Sequence, residues 1–341
     1  NRHIEHAYAL AMSRGPLLHA DADAFFASVA LRSRPALRAR RVAVAAHIIV
    51  ACASYPARAR GVRAGMSVHE AKHRCPDLVV LDVPHDEVEE VGEALLDLFH
   101  DFSPAVEPGS IEEAFLDVTA LDWDAAVEVA QRLRSRASRE LGIPLTVGVG
   151  RTKLMAKLAS RAGKPDGLHV IDPEREHDLR SSLAPSEVWG IGPATLSRLE
   201  ELDVTRLDDI DRVPREELRQ ACGTGMARRL WQIREGTDDA LVRPVRRRTS
   251  FSAEGSTSGY ARGDRSPLEL LETCLTRVCR RAARLDLAGS TLTVALRPEA
   301  GRKQITLRCS MAEATAEAAA WRPAAVALLH DRNLPRLAGL A

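Results

Sequence analysis

The stretch LLHADADAFFASVALR, residues 17–32, decides how the rest of the chain is read. It begins as the short apolar run of a strand, but that run ends on two aspartates, Asp21 and Asp23, and two phenylalanines, Phe25 and Phe26, follow at once. With a side-chain period of two, Asp21 and Asp23 project from the same face of a strand. Two like charges set together are costly unless a cation, water or a base neutralises them. The spacing therefore predicts a strand whose end lines a charged site.

A second acidic pair stands farther along, in PGSIEEAFLDV (residues 108–118), where Glu112 and Glu113 open another strand. Neighbouring strand residues point to opposite faces, so both can serve one site only if the backbone bends at the strand start. The preceding Pro108-Gly109 turn permits that bend. Oxygen ligands without histidine or cysteine favour Mg²⁺ or Mn²⁺ over zinc.

Around these pairs the chain reads as alternating elements. PLLHADAD is a strand, residues 86–102 an amphipathic helix, SIEEAFLDVT a strand, and residues 123–142 a helix ended by Gly142. IPLTVGVG follows as a strand, TKLMAKLASRAG as a helix and GLHVID as a short strand. This order fits a helix-covered sheet of the ferredoxin-like kind. About 55 residues between the first strand and the first long helix have a different character and read as an inserted subdomain. Residues 173–242 show short helices with glycine-rich turns, and RPVRRRTS (residues 243–250) is a basic linker. The helix SPLELLETCLTRVCRRAARLDL and the strands STLTVALRP and KQITLRCS then make a separate α/β unit.

The bulk properties agree with several domains. At 341 residues the chain exceeds one ordinary core. No apolar run approaches the roughly 18 residues of a membrane span, so no membrane partner is expected. Residues 1–16 read as an N-terminal extension, too weakly apolar for a signal peptide, with Met12 a candidate start. Six cysteines without a C-x-x-C pair or a histidine at metal spacing argue against zinc and against a disulfide framework, and predict reduced thiols in the cytoplasm. The net charge of +1 hides a split: from Arg243 onward 17 Lys and Arg face 9 Asp and Glu, whereas the preceding chain has 31 against 38. A basic C-terminal quarter suggests a nucleic-acid partner. Only five of the 48 basic residues are lysines, so arginine abundance alone says little.

HADADAFFASV, ACASYPARARGVRAGM, VEPGSIEEAFLDV, VGVGRTKLMAKLASRAGKPDG and VWGIGPATLSRLEELDV occur here in the order and spacing of the Y-family DNA polymerases. From about residue 17 to the end, the chain most resembles the bacterial DinB (polymerase IV) branch. The resemblance implies an α+β multidomain, right-hand polymerase, with a ferredoxin-like palm (residues 17–26 and 83–174) and small fingers (27–82). A helical helix-hairpin-helix thumb (175–242), the basic linker (243–250) and an α/β little finger (251–341), incomplete at its C-terminus, complete it. The implied activity is translesion, template-directed DNA synthesis with primer-template DNA and deoxynucleoside triphosphates as partners. Two Mg²⁺ ions are the implied cofactors, with Mn²⁺ as an alternative. A monomer is expected. A sliding clamp is an open partner, since no Gln-led hydrophobic tail follows NLPRLAGLA.

The resemblance also assigns roles. Asp21 and Glu112 bridge the metals, Glu113 completes the primer-side ion, and the carbonyl of Ala22 adds a ligand; on this reading the paired aspartates face a metal ion. Where the family pattern has aspartate then glutamate, this chain has Glu112, whose extra methylene moves the carboxylate by roughly one carbon–carbon bond. Phe26 takes the steric-gate position under the sugar, while Phe25 is core. Tyr55, Arg58 and Lys164 match triphosphate ligands, and the arginine fork suits phosphate oxygens; Cys52 stands where the family has threonine. WGIGPATLSRLEELDV looks like a helix-hairpin-helix in which Gly190 and Gly192 allow positive φ and helix N–H groups meet a DNA phosphate, and CGTGMARRLWQI (residues 222–233) echoes it. Arg246, Arg247, Arg248, Arg297, Arg302 and Lys303 are candidate contacts to the DNA backbone.

VGVGRTK and RAGKP do not meet the P-loop pattern, and GIGPAT lacks the third glycine of a dinucleotide site. Three alternatives stand beside the polymerase. A catalytically silent relative would bind DNA as a scaffold or competitor. A palm-type nucleotidyl cyclase has no need of the hairpin or the basic quarter, and a pure helix-hairpin-helix module leaves the carboxylates unexplained.

Overall fold

The computed structural model describes residues 15–238, 240–244, 249–258, 263–299, 303–330 and 336–341. These fall into two compact units, one from the described residues up to 32 and from 86 to 244, the other from residues 33–85 and the described residues from 249 onward. In chain order, β1 (Leu17–Ala22) turns into α1 (Phe25–Arg32). Then come β2 (Val42–Ala46), β3 (Ile49–Ala53), the single turn α2 (Tyr55–Arg58), α3 (Val68–Arg74) and β4 (Val79–Asp82). They are followed by α4 (His85–His100), β5 (Val106–Pro108), β6 (Glu113–Asp117), α5 (Trp123–Arg136), β7 (Leu145–Gly150), α6 (Lys153–Gly163) and β8 (Leu168–Val170). Four short helices follow, α7 (Glu176–Ser182), α8 (Pro193–Glu200), α9 (Arg215–Cys222) and α10 (Thr224–Glu235). The chain closes with β9 (Gly255–Ser256), α11 (Pro267–Arg284), β10 (Gly289–Pro298), β11 (Ile305–Thr315), α12 (Ala318–His330) and β12 (Leu337–Leu340).

In the first unit five strands form a sheet in the order β5-β6-β1-β7-β8, with β1 at its centre and antiparallel to both neighbours. Helix α6 packs its backbone straight onto β7, and this is what the glycines of VGVG are for. A Cβ on Gly148 would stand 2.1 Å from both the Ala156 carbonyl oxygen and the Ser160 nitrogen. The close approach brings the polar side chains of α6 up to those of β1. The inner apolar face of α6, with Leu154, Met155 and Leu158, continues into a core shared with Leu199, Leu207, Ile210, Leu218, Leu230 and Ile233 of the helical segment.

The second unit holds two further sheets. β3-β2-β4 enclose a small alanine- and valine-rich core with α2 and α3. In the four-stranded β11-β10-β12-β9 sheet all pairs are antiparallel, and α11 and α12 cover it through Leu270, Leu271, Leu275, Trp321 and Ala325. Helix α11 starts on a capping box, Ser266 accepting from the Glu269 N–H while Glu269 accepts from the Ser266 N–H.

Most expected elements are present with shifted ends. β1 stops at Ala22 and leaves Asp23 outside the strand, and β6 begins at Glu113 with Glu112 just ahead of it. The short β5 was not expected. Helix α5 ends at Arg136 and continues as a wider turn over Ala137–Leu141, which Gly142 closes at φ 65°. Among the described residues no helix is long and apolar enough to cross a membrane, and all six cysteines are free.

Candidate active site

The facing ends of β1 and β6 bring the acidic residues together. Asp21 is the register partner of Glu113, and the Ala22 N–H donates to the Glu112 carbonyl at 3.0 Å. Between β5 and β6 the chain bends after Pro108: the N–H of Gly109 donates to the Glu113 carbonyl at 2.9 Å, and that of Glu112 to Ser110 Oγ at 3.3 Å. This is the bend expected at the strand start. A Cβ on Gly109 would stand 2.6 Å from Glu113 Oε1, so a side chain there would displace the carboxylate.

Lysines from α6 and the loop after it stand against two of the carboxylates. Lys157 Nζ lies 2.6 Å from Glu113 Oε2, and Lys164 Nζ lies 2.5 Å from Asp21 Oδ1. Behind Glu113 is His19, fully buried, its Nε2 3.5 Å from Glu113 Oε2 and its Nδ1 2.7 Å from Ser160 Oγ. The contact with His19 and the ion pair with Lys157 pull Glu113 down to about 2 against the cost of burial. Burial lowers the pKa of His19. His19 and Lys157 together keep the carboxylate ionised.

Glu112 behaves oppositely. Burial raises its pKa, and the negative charges of Asp21 and Glu113 raise it further, against a hydrogen bond with Ser110. The three carboxylates therefore feel one another, and an oxygen-only donor set in mutual repulsion fits a hard divalent cation. Among the described residues no three acidic, histidine or cysteine side chains already converge closely enough to enclose an ion.

Asp23 does not face this site. It is fully buried beyond the strand end, where its Oδ2 accepts from Thr146 Oγ1 at 2.6 Å and from the Asp166 N–H at 2.8 Å. The expected shared face fails because the strand ends at Ala22 and the next residues turn, Ala24 with φ 44°. Phe25 is core, as expected, and Phe26 next to it is half-buried, the two rings 5.8 Å apart.

In the other unit, Arg58 is held in place by its own neighbours. Its Nε donates to the Ala53 carbonyl at 2.8 Å, its Nη2 lies 3.9 Å from Cys52 Sγ, and its guanidinium stands 5.0 Å from the centre of the Tyr55 ring. Arg297 on β10 is half-exposed, 3.9 Å from Glu254 across a loose ion pair, and Lys303 is exposed. Arg246, Arg247, Arg248 and Arg302 lie outside the described residues.

The glycine hairpin lies before α8. Gly190 has the expected positive φ of 95°. Gly192 does not: its φ is −92°, an extended conformation from which it caps α8 ahead of Pro193. Gly223, at φ 81° between α9 and α10, gives the second helix–glycine–helix turn.

Several residues of this region escaped the sequence reading. Trp189, beside the hairpin and 40% exposed, stacks on Phe115 at 5.8 Å and 25°. Arg229 lies over the same ring at 4.4 Å and donates to the Trp189 carbonyl at 2.6 Å. Lys153 Nζ sits near both rings and pairs with Glu107 at 2.6 Å. The signal for the two helix lysines was available: Lys153 and Lys157 are spaced by four, one face of a helix.

The chain matches the model of the impB/mucB/samB family over residues 20–161 and that of the family's C-terminal domain over residues 248–341. A protein named DNA polymerase IV from Alkalilimnicola ehrlichii is 36% identical over 289 residues, spanning 83% of this chain and 81% of the relative. One of the same name from Halorhodospira halophila is 35% identical over 309 residues, spanning 89% and 86%. Among solved structures, a Y-family DNA polymerase chimera of Dbh and Dpo4 superposes with a TM-score of 0.73 over 95% of this chain and 97% of that one, at 23% identity.

Proposed function

The chain belongs to the Y-family DNA polymerases, in the bacterial DNA polymerase IV (DinB) branch, and on that premise we propose that Asp21, Glu112 and Glu113 form the centre at which it extends a primer. It has the right-hand, multidomain α+β fold of that family, and it is a template-directed DNA polymerase of the translesion type. Divalent-metal dependence goes with the family. The observation that carries the site is the register of Asp21 with Glu113, Glu112 bound through its carbonyl to the end of the same strand.

In this reading Asp21, Glu112, Glu113 and the carbonyl of Ala22 would hold two Mg²⁺ ions, or Mn²⁺ in their place. A bound pair of such ions supplies a lowered pKa for the primer 3′-hydroxyl and neutralisation of charge at the triphosphate. The protein's own part is positioning and charge. Lys157 and His19 keep Glu113 ionised and fixed. Lys164, next to Asp21, supplies a point charge for triphosphate oxygens. By resemblance Tyr55 and Arg58 are triphosphate ligands, Arg58 already oriented by the Ala53 carbonyl. Phe26, half-exposed beside the buried Phe25, packs under the sugar.

The domain assignment follows: palm from residues 17–26 and 83–174, fingers from 27–82, a helix-hairpin-helix thumb from 175–242, a linker at 243–250 and a little finger from 251–341. Primer-template DNA is held without reading of sequence, by the hairpin at Gly190 and Gly192 and by backbone contacts from Arg297 and Lys303. The linker arginines and Arg302 join them through the basic charge of the C-terminal quarter. The protein acts as a cytoplasmic monomer, with a sliding clamp left as an open partner. Single-nucleotide insertion opposite each of the four template bases tests the reading. Incorporation that follows the template supports it; incorporation indifferent to the template, or product formed without DNA, points to a nucleotidyl transferase of another kind.

A further inference from the structure

We propose that Asp23 is a positioning residue for Lys164, so that the second aspartate of the opening motif sets the grip on the incoming triphosphate without touching it. The proposal rests on the reading of Lys164 as a triphosphate ligand. A carboxylate with no solvent exposure is costly unless its oxygens are satisfied. Oδ2 of Asp23 meets one short segment and the strand beside it. Its Oδ2 accepts from the backbone N–H of Asp166 at 2.8 Å and from Thr146 Oγ1 at 2.6 Å. Thr146 Oγ1 also accepts from the Gly167 N–H at 3.3 Å. Both N–H groups belong to the loop that leaves α6 through Lys164 and enters β8.

The same loop is clamped from α5. Arg134 Nη2 donates to the Asp166 carboxylate at 3.1 Å and to its carbonyl, while Arg134 Nε holds the Leu145 carbonyl at 3.0 Å. Asp166 has φ 43°, a left-handed conformation that a residue other than glycine keeps only where its surroundings hold it. Asp23 itself is fixed by its N–H to the Pro144 carbonyl at 3.0 Å and by its carbonyl to Ser28 Oγ at 2.5 Å. One side chain thus ties the end of β1 to the loop after α6. Because Lys164 lies two residues before the bonded N–H and its ammonium stands against Asp21, the position of the ammonium relative to the reacting centre depends on that tie. A free loop would let a four-carbon side chain sample many placements, and a misplaced point charge weakens substrate binding before it slows chemistry.

The test is a double-mutant cycle with pre-steady-state insertion of one deoxynucleotide on a primer-template. Asp23→Asn removes the charge and disturbs the tie while keeping the volume. Thr146→Val removes the hydroxyl that Asp23 accepts and serves as an independent variant should the first fold poorly. Each is made alone and with Lys164→Ala, with DNA affinity and melting temperature measured alongside. The expected result is a rise in the apparent Kd for the triphosphate of about five- to twentyfold in Asp23→Asn and a smaller rise in Thr146→Val. The insertion rate at saturating nucleotide and the DNA affinity should stay within about threefold, and neither substitution should add a penalty once Lys164 is alanine. Nucleotide affinity unchanged in both variants, or full penalties persisting in the Lys164→Ala background, would overturn the proposal. If Lys164→Ala alone leaves nucleotide affinity intact while Glu113→Ala abolishes insertion, the reading of Lys164 fails with it, and the polymerase assignment stands.

Discussion

Glu112 reaches one methylene farther than the aspartate it replaces in the family pattern, and Mg²⁺ tolerates little distortion of its octahedron. Mn²⁺ is more forgiving, so Glu112→Asp should raise Mg²⁺-supported extension by about three- to tenfold and reduce the preference for Mn²⁺, as read by single-turnover insertion with each ion. A rate unchanged in Mg²⁺ would mean that the bend after Gly109 already absorbs the extra length. Glu113 gives a sign for pH. Its pKa is lowered to about 2 in the fold, so its ionisation stabilises the protein fully above the ordinary glutamate pKa near 4.5, and that stabilisation is lost as pH falls towards 2. In chelator, wild type should melt above Glu113→Gln near neutral pH, and the gap should narrow as pH falls below about 4.5; a gap independent of pH would contradict the role of Lys157 in holding the charge. For Phe26, replacement by alanine should raise ribonucleotide incorporation. Unchanged sugar discrimination in that variant would remove it from the sugar pocket.

At the scale of elements, the hairpin before α8 is attached to the sheet by side chains more than by backbone. Trp189 lies between Phe115, two residues past Glu113 on β6, and Arg229 of α10. A cation–π contact of this kind is worth roughly 0.5–2 kcal/mol, so Trp189→Ala should weaken primer-template binding by about three- to thirtyfold while Trp189→Phe keeps most of it. Fluorescence anisotropy on labelled DNA measures this, and equal affinity for all three proteins would show that the stack does not orient the hairpin. The elements were legible in the sequence where pattern and punctuation agree: α5 and its Gly142 stop, the long helix α11, the glycine turn at Gly190. What was not legible depends on neighbours distant in sequence. Asp23 looked like a partner of Asp21 because a period of two says nothing about where a strand ends. Gly192 looked like a left-handed glycine because a cap and a turn use the same residue. Lys157 meets Glu113 only because Gly148 lets α6 lie on β7, and local periodicity does not show that approach.

For the molecule as a whole, charge is divided along the chain, acidic before Arg243 and basic after it. Contacts to phosphate release counter-ions, and affinity then falls with salt in proportion to the number of contacts. DNA binding should fall by at least about tenfold between 50 and 200 mM salt, and Arg297→Ala should lower the slope by about one contact; a slope unaltered by that change would place β10 away from the DNA. The role proposed for the carboxylates at the ends of β1 and β6, as the centre of polymerisation, is open to one direct test. The direct measurement is primer extension on a template-primer with deoxynucleotides in Mg²⁺ and in Mn²⁺, beside Glu113→Ala. Extension in wild type that is lost in Glu113→Ala, with DNA binding equal in the two, is the predicted result. No extension with either ion while DNA is still bound would contradict it, and would leave a protein that holds DNA without copying it.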